Sequence, residues 1–248
     1  MRICLFLLSF YPKSGNFKEE RNKLEERLAM GNKYKSVFDI IGPVMIGPSS
    51  SHTAGAARIG KVGFQLFNGQ ITKLKVRYFE SFAKTHRGHG TDFATVAGVL
   101  GFEPDDVRCP QAIQIAEKMG IEIQFIEDSH PSPINHPNSA ELTLENETKK
   151  ISLMGCSIGG GTIEIRAFTI KNQQFFPKGG LPILVLEANP INQDKIQNQI
   201  KKTTGIISQN ESELTPNEFI YEYDLTKNLA ETELKQLRLL THNLIYLI

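Results

Sequence analysis

Between Thr53 and Phe67 the chain places Ala54, Gly55, Ala56, Ala57, Gly60 and Gly63 over much of the surface of one prospective helix. Small side chains leave the backbone bare, so this helix is suited to lie close against another backbone. The run ahead of it, Gly47-Pro48-Ser49-Ser50-Ser51-His52-Thr53-Ala54-Gly55, fixes where the helix starts. Pro48 biases Gly47 away from the helical region, and any of Ser49 to Ser51 can serve as the N-cap. Free amides and the positive end of the helix dipole attract a carboxylate or phosphate there, and hydroxyls can orient it. His52 stands beside that anion as a base. A plain cap next to a solvated histidine has the same spelling, so the other loops decide between the two.

Leu74 to Phe82 alternates Leu74, Val76 and Tyr78 with Lys75 and Arg77, the period-two pattern of a half-buried strand. The turn His86-Arg87-Gly88-His89-Gly90-Thr91-Asp92 then feeds an apolar helix over Phe93 to Leu100, with Thr91 or Asp92 as its cap. A helix around Gln111 to Met119, ended by Gly120, leads into a strand over Ile121 to Ile126. Apolar runs at Ala140 to Leu144 and Lys149 to Met154 flank Glu145-Asn146-Glu147-Thr148 as a hairpin. Further strands fall at Thr162 to Ile170 and Gln174 to Phe176.

Pro177-Lys178-Gly179-Gly180 is the clearest boundary. After it the pattern reads strand (Leu181 to Glu187), helix (Gln193 to Thr203), strand (Gly205 to Asn210), strand (Glu218 to Leu225), helix (Ala230 to Leu240) and strand (Asn243 to Ile248). That order, βαββαβ, is the ferredoxin-like split-βαβ arrangement. The expected fold class is therefore α+β, a mixed α/β domain over residues 33–177 followed by a ferredoxin-like βαββαβ domain over 180–248. Residues 1–32 read as an extension. Its apolar stretch Ile3 to Phe10 is too short to span a bilayer, lacks a small-residue cleavage site, and precedes a charged run. Met30 would make a natural initiator.

Charge narrows the partners. With 28 basic and 27 acidic residues the net charge is +1, which gives no cationic field for a phosphate backbone and argues against nucleic acid. Cys4, Cys109 and Cys156 are odd in number and far apart, so they form neither a disulfide framework nor a metal-binding spacing, and a reducing cytoplasm fits them. No membrane partner is expected.

Polar, small and imidazole-bearing residues gather in four loops: Ser49 to Thr53, His86 to Asp92, His136-Pro137-Asn138-Ser139, and Gly155-Cys156-Ser157-Ile158-Gly159-Gly160-Gly161-Thr162. The last is rich enough in glycine for its amides to approach a ligand, although a glycine corner between strands would look alike, and it matches no phosphate-binding fingerprint. His86 and His89 are spaced as metal ligands on a helical turn, but the interleaved Gly88 and Gly90 favour a loop and no acidic third ligand is in step. A serine hydrolase would need a second glycine after the serines, which is missing.

The stretch from Tyr34 to Gly60, reading Tyr34-Lys35-Ser36-Val37-Phe38-Asp39-Ile40-Ile41-Gly42-Pro43-Val44-Met45-Ile46-Gly47-Pro48-Ser49-Ser50-Ser51-His52-Thr53-Ala54-Gly55-Ala56-Ala57-Arg58-Ile59-Gly60, closely resembles the opening of the β subunit of iron-sulfur-dependent bacterial L-serine dehydratase. His89-Gly90-Thr91-Asp92, His136-Pro137-Asn138 and Ser157-Ile158-Gly159-Gly160-Gly161 follow in the order that family shows, and the tail sits where it carries an ACT-type domain. The resemblance implies deamination of L-serine to pyruvate and ammonia, with a 4Fe-4S cluster as the electrophile. Three scattered cysteines do not suffice to hold such a cluster, so it is expected on a separate α subunit, the implied partner. On this resemblance His52 is the catalytic residue for proton transfer, since an imidazole near its usual pKa of about 6.5 exchanges protons at neutral pH. Ser49, Ser50 and Ser51 hold the serine carboxylate, Thr53 orients it, and His89, Asp92, His136 and Asn138 complete the pocket; no metal ligand is assigned to this chain. The tail departs from effector-binding ACT domains, whose first loop usually carries an Asp and a nearby Gly. Here it reads Glu187-Ala188-Asn189-Pro190-Ile191-Asn192-Gln193-Asp194, without glycine. The alternative reading is a stand-alone amino-acid sensor without catalysis.

Overall fold

The computed structural model describes residues 44–178 and 180–248, and the expectations for residues 1–32, Cys4, Met30 and the stretch from Tyr34 to Pro43 lie outside them. The described chain is α+β, with two sheets. In the first, six strands run in the order β2-β1-β3-β4-β5-β6, where β1 is Lys73–Phe79, β2 Glu122–Asp128, β3 Ser139–Glu145, β4 Lys150–Gly159, β5 Thr162–Ile170 and β6 Gln173–Phe175. Only the β1–β2 pair is parallel, because the chain between them crosses back through three helices, whereas β3 to β6 follow one another through tight turns. Those helices are α2 (Glu80–Thr85), α3 (Thr91–Val99) and α4 (Ala112–Lys118).

The glycine-rich segment forms α1 (Gly55–Phe67), entered through a widened π-type turn over Ser50–Ala54. As its composition demanded, α1 lies close on α3. A Cβ added to Gly98 would stand 1.9 Å from the carbonyl oxygen of Ala57, and one on Gly60 would stand 2.2 Å from that of Thr95. The underside of α1 rests on the sheet, where Gly63 meets Leu142, Leu144 and Leu153. Ile59, Val62 and Leu66 bury there with Leu74, Val76, Ile165 and Phe168.

The second sheet is antiparallel in the order β10-β7-β9-β8, from β7 (Ile183–Ala188), β8 (Ile206–Thr215), β9 (Glu218–Leu225) and β10 (Asn243–Leu247). Helices α5 (Gln193–Lys201) and α6 (Glu231–Arg238) cover one face, where Leu184, Leu186, Tyr221 and Tyr223 pack against Ile196, Ile200, Leu234 and Leu237. Side chains alternate along a strand, so the other face carries Ile183, Val185, Ile220, Ile245 and Leu247, and these join the core of the first sheet. β7 is accordingly buried along its whole length.

Three local expectations are corrected. The strand read from Leu74 to Phe82 ends at Phe79, because Glu80 takes a positive φ of 44° and opens α2. That short helix is fixed from outside: the Ser81 and Phe82 amides donate to the Pro137 carbonyl at 2.9 and 3.3 Å, and the Glu80 carboxylate accepts the Ser132 amide at 2.9 Å. Neither Thr91 nor Asp92 caps α3; the N-cap is Gly90 at φ 69°, and Asp92 is committed to His86. The glycine-rich stretch from Gly155 is strand as far as Gly159, and the turn itself is Gly160-Gly161, both at positive φ.

Candidate functional site

The serine run folds as a cap with an unusual start. Ser49 is the N-cap in extended conformation, and its hydroxyl accepts the His52 amide at 3.2 Å. The Gly55 amide reaches back five residues to the Ser50 carbonyl, which gives the first turn its π width. That width brings three side chains to one place. Ser51 Oγ lies 3.0 Å and Ser49 Oγ 3.4 Å from His52 Nδ1, with the two hydroxyls 3.3 Å apart. Ser49, Ser50, Ser51 and His52 are all half-buried, so they remain within reach of a small ligand.

Around this turn the other loops converge. The His89 ring stands edge-on to that of His52, centroids 4.8 Å apart, and Phe82 lies at 5.2 Å on another side. Thr53 is buried; its hydroxyl donates to the His89 carbonyl at 2.9 Å and accepts the Ser49 amide at 3.3 Å, tying the two loops together. Ser81 Oγ sits 3.3 Å from His52 Nε2. The 136–139 loop arrives through Pro137, which holds the start of α2, and through the Asn138 carbonyl, which accepts the Ser157 amide at 2.9 Å. Ser157 lies beneath Gly55, where an added Cβ would be 2.2 Å from its hydroxyl, and that buried hydroxyl has no hydrogen-bond partner among the described residues.

Not every expected residue faces His52. Asp92 turns away to His86, Oδ1 to Nδ1 at 2.6 Å, and the other nitrogen of that buried ring meets Glu127 at 2.9 Å. The three form a strut joining α2, α3 and β2, which braces the loop bearing His89. The His136 ring accepts the Asn138 amide at 3.2 Å and so shapes its own loop. Ser81, Phe82 and Glu127 were not visible as site residues, because the sequence pattern ran the strand straight through the first two.

Burial first, and the neighbouring His89 second, lower the pKa of His52 below its ordinary 6.5, so the ring is neutral at pH 7 and can accept a proton. A cavity of about 780 Å³ opens on the opposite face of α2, lined in part by Lys84, His86, Arg87, Glu127, Asp128 and His130. It includes no residue of the serine loop. An iron-sulfur cluster needs several thiolates around one point. Cys109 and Cys156 are each buried singly, with burial pushing both thiols up, and no group of three or more metal-ligating side chains occurs among the described residues. These residues do not fit such a cluster. No helix among the described residues is long and apolar enough to cross a membrane.

The family model described as "Serine dehydratase beta chain" matches residues 36–167. The chain is 56% identical over 134 residues to "Probable L-serine dehydratase, beta chain" of Bacillus subtilis (strain 168), an alignment covering 54% of this chain and 60% of that one. It is 39% identical over 131 residues to "L-serine dehydratase, beta chain" of Peptoniphilus asaccharolyticus, covering 52% and 59%. Against "L-serine dehydratase 2" of Escherichia coli (strain K12) identity is 31% over 173 residues, covering 60% of this chain and 36% of that one. The chain thus spans about 60% of the length of the first two relatives. Since residues 36–167 make up more than half of its 248, the chain belongs to the serine dehydratase beta chain family.

Proposed function

We propose that this chain is the beta subunit of a cytoplasmic L-serine dehydratase, which eliminates water from L-serine and releases pyruvate and ammonia. The observation that carries the reading is a neutral imidazole, His52, set among the hydroxyls of Ser49 and Ser51 at the start of α1. The serine carboxylate binds the hydroxyls of Ser49, Ser50 and Ser51, favoured by the dipole of α1. His52 takes the α-proton, and His89 lies against it as the second imidazole of the pocket. Thr53 contributes by holding the His89 loop to the serine loop, while Asn138, His136 and Asp92 shape the loops around them.

Loss of hydroxide needs an electrophile that these residues do not supply. A 4Fe-4S cluster on a companion alpha subunit is the assigned source, and this chain's share is carboxylate binding and proton transfer. The relatives named beta chains support a partner of that kind. The tail, residues 180–248, is assigned as an ACT-like domain on its βαββαβ order.

Co-expression with a cysteine-rich companion chain without oxygen is expected to give serine-dependent pyruvate release. His52→Ala should lower it by about a hundredfold or more, as loss of a placed base does. His89→Ala should lower it less and move the acid limb of the pH profile upward, because one cause of the low His52 pKa is removed. Undiminished turnover in His52→Ala refutes the assigned base. Tight serine binding by this chain alone, with no turnover alongside any companion, would favour the sensor.

A further inference from the structure

The imidazole of His52 is gripped from two sides. Its Nδ1 edge lies on the serine turn, with Ser51 Oγ at 3.0 Å, while Nε2 faces Ser81 Oγ at 3.3 Å, a hydroxyl 29 residues further along the chain. Ser81 is held firmly. Its amide donates to the Pro137 carbonyl at 2.9 Å, its own carbonyl accepts the Thr85 hydroxyl at 2.7 Å, and the next residue, Phe82, is fully buried with its ring against His52. The hydroxyl is therefore presented from a fixed support.

A neutral imidazole has one N–H and one lone pair, and a hydroxyl can serve either. Ser49 Oγ already accepts the His52 amide, so the serine turn can offer the Ser51 O–H to Nδ1, which leaves Nε2 as the protonated nitrogen. Ser81 Oγ is then the acceptor for Nε2–H. We infer that Ser81 is a positioning residue for His52: by accepting Nε2–H it fixes the ring's rotation and tautomer, keeping the Nδ1 lone pair on the side of Ser49 and Ser51. The role in catalysis rests on the proposed function of His52, but the coupling of the two side chains does not.

The test uses the full chain labelled with ¹⁵N-histidine, whose six imidazoles include His52, assigned by its absence in His52→Gln. The wild type is expected to show the Nε2–H tautomer at His52. In Ser81→Ala the ring nitrogens should shift toward a mixture of tautomers, and Ser81→Thr, which keeps a hydroxyl, should restore the wild-type pattern. In the enzyme reconstituted with its companion, Ser81→Ala should lower kcat by about tenfold, a factor equal to about 1.4 kcal/mol, with KM changed by less than about twofold. Ser81→Thr should recover most of that loss. Unchanged His52 nitrogens in Ser81→Ala would overturn the proposal, as would shifted nitrogens with kcat intact. If no companion gives turnover with the wild-type chain, the functional reading fails, and the nitrogen shifts still decide whether Ser81 holds the ring.

Discussion

Replacing Gly98 by alanine is expected to cost about 3 kcal/mol of stability, near the top of the range for forcing atoms into a filled contact. The new Cβ would stand 1.9 Å from the Ala57 carbonyl oxygen and 2.7 Å from the Lys61 amide nitrogen. Both are backbone atoms of α1, so no side chain can swing aside and the two helices must part. Their separation would be felt at the site. α1 begins at the serine turn and α3 begins directly after the loop that carries His89, so His52 and His89 move apart with the helices. Urea unfolding should therefore show a clearly lower midpoint with an unchanged slope, and serine-dependent turnover should fall with it. A midpoint equal to that of the wild type would mean that the α1–α3 approach is looser than described.

The second large effect is a dependence on pH that originates in the C-terminal sheet. Glu222 on β9 is completely buried, and its Oε2 accepts the Asn210 side-chain amide at 2.5 Å. Asp224 stands two residues along on the same face and accepts the Lys178 amide at 2.7 Å. Burial, helped by the negative Asp224 and opposed by the Asn210 amide, pushes the Glu222 carboxyl up to about 8 from an ordinary 4.5. The folded chain then keeps this proton across a range in which the unfolded chain has released it. Between about pH 4.5 and 8 the native state binds more protons, and stability falls as pH rises, by about 1.4 kcal/mol per unit from this group. By pH 7 the loss amounts to about 3 kcal/mol. Glu222→Gln retains an oxygen for Asn210 and abolishes the titration. It should be more stable than the wild type at pH 7.5 by roughly that amount and nearly equal to it at pH 4.5. Parallel curves of unfolding midpoint against pH for the two proteins would rule this out.

The tail was the easiest part to read from sequence, because its strands are short apolar runs such as Ile183–Ala188, punctuated by Asn-Pro and Gly. The packing of α1 was also legible, since a row of glycines and alanines has few uses other than close approach. α2 was not. Its residues continue the preceding alternation, and what turns them into a helix is a carbonyl at Pro137 and an amide at Ser132, more than 50 residues away. For the same reason the serine loop and its histidine could be singled out as candidates from local chemistry, whereas Ser81, brought to His52 by the fold, could not. The orientation of Asp92 was equally hidden, since it depends on His86 lying between two carboxylates, one of them on β2.

The final strand carries a mechanical implication. β10 packs beside α1, and its Ile245 and Leu247 sit in the same apolar interior as Ile59 and Leu66. Loosening β10 would therefore remove apolar support from under the helix that begins at the serine turn. The C-terminal sheet thus shares its interior with the helix that starts at the serine turn, whatever the composition of its own first loop.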